Sequence, residues 1–91
     1  MTNPNSDNVI GRFLVNVADQ HRAQVQGVLL DLLFYEQGFL SYHHASPFVK
    51  ALLSNRLSYI CQRADSVNIL YLAVYGEFLY ECIPPEKLIS P

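Results

Sequence analysis

The chain has 91 residues, 51% of them hydrophobic and 15% charged, with a formal net charge of −2. So apolar a composition excludes intrinsic disorder over most of its length, and two cysteines are too few for a disulfide-stapled scaffold. The slight excess of acid argues against a nucleic-acid partner.

Residues 1–7 are polar and read as a disordered lead-in. They lack the basic and apolar regions of a secretory leader, so the cytoplasm is the expected location. Ser6, Asp7 or Asn8 can cap the helix that follows. From Val9 onward, Ile10, Leu14, Val17, His21, Val25, Val28 and Leu32 recur at steps of three and four. Arg12, Asn16, Asp19, Gln20, Gln26 and Asp31 fall opposite them, which predicts one long amphipathic helix. After Gly27 the sequence is apolar nearly all round as far as Tyr35. Gly38 suits the left-handed position that ends such a helix.

Phe39–Ala45 is a short connection containing Tyr42, His43 and His44. Ser46 and Pro47 then open a second helix, serine capping it and proline at its first position, where no N–H is needed. Val49, Leu53, Leu57, Ile60 and Ala64 form its core stripe, with Cys61 at the edge. Asp65 and Ser66 offer a new cap. The third element, Val67–Ile83, reads as a helix ending at Pro84-Pro85. Its β-branched and aromatic first half, followed by Gly76, keeps a hairpin open as the alternative. It holds no run of about 18 uncharged apolar residues that would span a membrane, because Asn68, Glu77 and Glu81 interrupt it. Residues 84–91 read as a tail.

The fold class expected is therefore all-α: a long helix plus a helical pair, with residues 8–83 as one domain. The alternative is an α+β fold with a hairpin at 67–83. Three elements this apolar exceed what one small monomer can hide, which predicts a homodimeric helical bundle.

Chemistry-bearing residues are sparse. His21 lies in the apolar stripe with Val17 and Val25 four residues either way, so no second ligand accompanies it. His43 and His44 are the most reactive-looking cluster, with Glu36 near in sequence. Adjacent histidines in an extended loop point opposite ways and do not share a metal easily. Glu77 and Glu81 lack the Glu-x-x-His partners of a di-metal bundle. Cys61 and Cys82 belong to no motif and are expected to be reduced, buried thiols. No catalytic motif, cofactor loop or metal signature is present.

Charge is sorted more clearly. Residues 47–64 hold Lys50, Arg56 and Arg63 and no acid, whereas residues 65–86 hold Asp65, Glu77, Glu81 and Glu86 and no base. On one continuous helix, Arg56 and Arg63 share a face with Leu52 and Tyr59, and arginine with tyrosine is interface hot-spot composition. Leu52, Arg56, Tyr59 and Arg63, or the mixed Tyr71 and Tyr75 surface, are the expected partner-binding residues. The function expected is a non-catalytic, regulatory or accessory protein-interaction module, homodimeric and without cofactor. Two alternatives stand beside it: a small acidic chaperone or adaptor of α+β fold, and a small ligand- or metal-binding enzyme using His43 and His44.

Overall fold

A computed structural model describes residues 4–89. It contains six α-helices: α1 (Pro4–Phe13), α2 (Asp19–Gln37), α3 (Pro47–Ser54), α4 (Leu57–Arg63), α5 (Ser66–Leu70) and α6 (Leu72–Cys82). Single 3-10 turns at Tyr42–His44 and Pro85–Lys87 complete it, with no strand among the described residues. The all-α expectation holds, and the hairpin at 67–83 is overturned. Gly76 sits inside α6 with open space where a Cβ would stand, so it serves no turn.

Each of the three expected helices is broken in two. The first breaks at residues 14–18. A straight helix of about 28 residues would be about 42 Å long, whereas the longest dimension of the molecule is 32 Å. Folding α1 back on α2 lets both apolar faces share one core. Leu14 and Val17 stay buried inside the break. Their amides bond three residues back, to Gly11 and Leu14. The Ala18 N–H is taken by the Tyr71 hydroxyl at 3.3 Å. The face assignment survives the break: Ile10, Leu14, Val17, Val25 and Leu32 are all buried.

The start and end of the chain also differ from expectation. Helix α1 begins at Pro4, inside the segment read as a lead-in. Ser6, Asp7 and Asn8, expected to cap this helix, therefore lie within it rather than before it, and their side chains are outside the described ones. At the other end, the expected tail packs down. Leu88 and Ile89 lie against the core. The Ile89 N–H donates to the Leu53 carbonyl at 2.8 Å, meeting one of the acceptors left open at the end of α3. The Tyr35 hydroxyl donates to the Lys87 carbonyl, and the Lys87 ammonium donates to the Glu36 carbonyl.

Local signals at the remaining ends are met. Gly38 is left-handed (φ 87°) and its N–H caps α2. Ser46 Oγ accepts from the Val49 N–H with Pro47 at the first helical position. Asp65 accepts from the Asn68 N–H.

Helix α2 is the centre of the packing, touching α1, α3 and α6. Phe13 of α1 meets Phe78 of α6 edge-on at 5.1 Å between ring centroids, and Phe48 of α3 meets Tyr75 of α6 at 5.4 Å. The stretch 28–35, apolar nearly all round, is largely absorbed: Leu29, Leu32 and Leu33 are buried and Phe34 is 38% exposed.

Candidate functional site

Helix α3 presents Pro47, Lys50, Ala51 and Ser54 at helical spacing along one face. Asn55 then adopts the left-handed conformation (φ 56°, ψ 33°), which asparagine tolerates better than most residues. The chain turns, and α4 starts in a new direction. The groove between the two helices is a cleft of about 300 Å³ lined by those four residues with Tyr42, Tyr59 and Arg63.

The cleft is basic and aromatic. The Lys50 ammonium lies over the Tyr42 ring at 5.7 Å, and the Arg56 guanidinium over the Tyr59 ring at 5.3 Å. Both are within cation–π range, which holds long side chains in place without neutralising them. Ion pairing among the described residues is confined to Arg22 and Asp19, so Lys50, Arg56 and Arg63 have no carboxylate partner there. Ser54 Oγ is committed to the Ala51 carbonyl at 2.7 Å.

The break at Asn55 corrects the expected binding face. A continuous helix would place Leu52 beside Arg56 and Arg63. With α4 redirected, Leu52 turns into the core (2% exposed) and Leu57, expected in the core, is 71% exposed. Tyr59 and Arg63 line the cleft, and Arg56, outside its lining, stays beside it by stacking on Tyr59. Tyr42 and Lys50 join them, unassigned to the face from sequence. The signal for Lys50 was its spacing with Pro47 and Ser54 on the side of α3 away from its apolar stripe, whereas Tyr42, on the 3-10 turn, carried none.

The Tyr71 and Tyr75 surface is not a surface. Tyr75 is fully buried, and its hydroxyl donates to Asn68 Oδ1 at 2.6 Å. Burial, reinforced by the charge of Asp65, pushes its phenol well above the ordinary tyrosine range. Tyr71 is half-buried, with its hydroxyl 2.9 Å from His21 Nδ1. This contact joins the start of α2 to the α5–α6 junction, so His21 has a structural partner.

His43 and His44 are exposed on the 3-10 turn, where His44 Nδ1 bonds Ser41 Oγ at 2.6 Å. Among the described residues, no three His, Cys, Asp or Glu side chains converge to hold a metal ion. Cys61 is exposed rather than buried, and Cys82 is half-buried. Burial, with the charge of Glu81, raises the Cys82 thiol, which disfavours the nucleophilic thiolate. Backbone donation from Asn68 holds the Asp65 carboxyl below its usual range, and the hydrogen bond it accepts from Gln24 Nε2 lowers it further.

Among the described residues, no helix is long and apolar enough to cross a membrane. No known protein family, curated protein or solved structure matches the chain.

Proposed function

We propose that the protein is a non-catalytic interaction module that takes an acidic segment of a partner protein into the α3–α4 cleft. The observation that carries this reading is a concave surface lined by cations and tyrosines, with no carboxylate among its lining residues. Arginine and tyrosine pre-ordered by stacking lose little freedom on binding, and their unpaired charge selects for acid in the partner. A regulatory or accessory role in the cytoplasm is part of the proposal; a reducing compartment suits the two free thiols.

Titration with a synthetic Glu- and Asp-rich peptide bearing one aromatic residue tests it, using the Gln- and Asn-substituted peptide as control. The acidic peptide is expected to bind. Arg63→Glu is expected to weaken that binding about tenfold, with a similar loss between about 0.05 M and 0.5 M salt. Equal binding of the two peptides, or binding of neither, rejects the proposal.

A further inference from the structure

The acidic half of the chain carries a feature that the cleft does not use. On α6, Glu77, Tyr80 and Glu81 stand at positions i, i+3 and i+4, so they share one face. All three are exposed, Tyr80 at 90%. A tyrosine so exposed between two glutamates forms a ridge with an aromatic crest and acidic flanks. No base occurs in residues 65–86, the ammonium of Lys87 is engaged by the Glu36 carbonyl, and Arg12, whose charge reaches the neighbouring Cys82, forms no ion pair with Glu77 or Glu81.

The crest of the ridge, Tyr80, comes near the cleft through the turn at Asn55. Ser54 lines the cleft, and the next residue, Asn55, lines an apolar depression of about 260 Å³ beneath Tyr80, together with Leu79, Ile83 and Leu88. Both surfaces therefore border the same turn, and Leu57, two residues on, is a leucine 71% exposed.

The geometry points to a second copy of this chain as an occupant of the cleft, in a two-fold dimer whose axis passes beside the Asn55 turn. Two patches of opposite charge on either side of an axis exchange places under a two-fold rotation. The basic cleft of each protomer then faces the acidic ridge of its partner, and both contacts form at once. Leu57 of each copy meets near the axis, giving an apolar centre inside a charged rim, the usual anatomy of a protein interface. One cleft closing on one side chain buries far less than the roughly 800 Å² per partner of a stable interface. The two-fold pairing adds the leucine and the second ridge. This inference rests on the cleft being an acceptor for acidic segments, and it names the acidic segment as that of α6.

Sedimentation equilibrium of the intact protein, with helicity checked by circular dichroism, tests it. The wild type is expected to dimerise, less tightly as salt rises from about 0.05 M to 0.5 M. Arg63→Glu alone and Glu81→Lys alone are each expected to weaken the dimer at least about tenfold, because symmetry repeats each change twice. The doubly reversed variant, Arg63→Glu with Glu81→Lys, is expected to recover it. Leu57→Ser, which alters no charge, is expected to weaken the dimer at every salt concentration. A wild type that stays monomeric, a dimer indifferent to both reversals, or a double variant that does not recover overturns the inference. A monomer that still binds the acidic peptide overturns this inference alone, whereas a monomer that binds neither peptide rejects the cleft as acceptor as well.

Discussion

The α3–α4 and α5–α6 regions are built alike and end up with opposite roles. Each reads as one helix, each breaks once, and each carries leucines on both sides of the break with tyrosine in the second helix. At Asn55 the chain takes a left-handed residue and redirects α4, so that Leu57 and Tyr59 are carried outward while Ile60 alone on α4 is buried. At Tyr71 the backbone stays near the helical region (φ −114°, ψ 22°). The apolar face continues across that break: Asn68 before it and Tyr75, Phe78 and Leu79 after it are buried. The conformation at a break, rather than the residues flanking it, decides whether a stripe remains core or becomes surface.

The comparison is broken most directly by removing a large side chain from each region. Phe78 is fully buried against Phe13, so Phe78→Ala is expected to cost about 3–5 kcal/mol in a denaturant titration, a large part of the stability of a domain this size. Tyr59→Ala at the half-exposed counterpart is expected to stay within about 0.5 kcal/mol. Equal losses would show that α4 belongs to the core after all.

A smaller effect is expected at Tyr75. Tyr75→Phe keeps the ring and leaves Asn68 Oδ1 buried without its donor, which costs about 1–3 kcal/mol. The same hydroxyl sets an alkaline limit. Its folded pKa lies above the unfolded value of about 10, so its stabilising contribution is complete below that pH and is lost as pH rises further. Thermal melts of the wild type should therefore fall more steeply above about pH 10 than those of Tyr75→Phe.

The smallest effect sharpens the other side. Asn55→Ala forces an ordinary side chain into the left-handed conformation and should cost about 1–2 kcal/mol. Asn55→Gly should cost less, because glycine has no Cβ to clash there. The two melting temperatures rank the variants directly.

Features set by a few neighbouring residues were legible before any coordinates. Gly38, Ser46-Pro47 and Asp65 mark the helix ends where local chemistry places them, and the stripe from Ile10 to Leu32 marks the buried face. The breaks at 14–18, Asn55 and Tyr71 were not legible, because tertiary partners decide them: Tyr71 takes the Ala18 N–H from more than fifty residues away. The candidate site was legible in composition and only partly in geometry. Tyr59 and Arg63, read together from their spacing, both line the cleft, and Arg56 stacks on Tyr59 from just before α4. Leu52 was misplaced because it lies across the break, and Tyr75 because a tyrosine in a mixed helix carries no sign of an internal acceptor such as Asn68. The surplus of apolar residues does reach the surface, chiefly at Val15, Phe39, Leu57, Leu70 and Tyr80, and in the stretch 28–35 at Phe34.

The bond from the Ile89 N–H to the Leu53 carbonyl has a bearing on how the chain is made. A ribosome delivers α2 and α3 well before residues 85–89. Until those residues emerge, the end of α3 lacks its acceptor's partner, and the Tyr35 hydroxyl and Glu36 carbonyl lack theirs in Lys87. The turn at Asn55, on which the cleft depends, follows directly after that open helix end. Shaping of the cleft thus waits on residues 85–89, and a nascent chain with α4 formed but those residues not yet emerged does not present it in finished form.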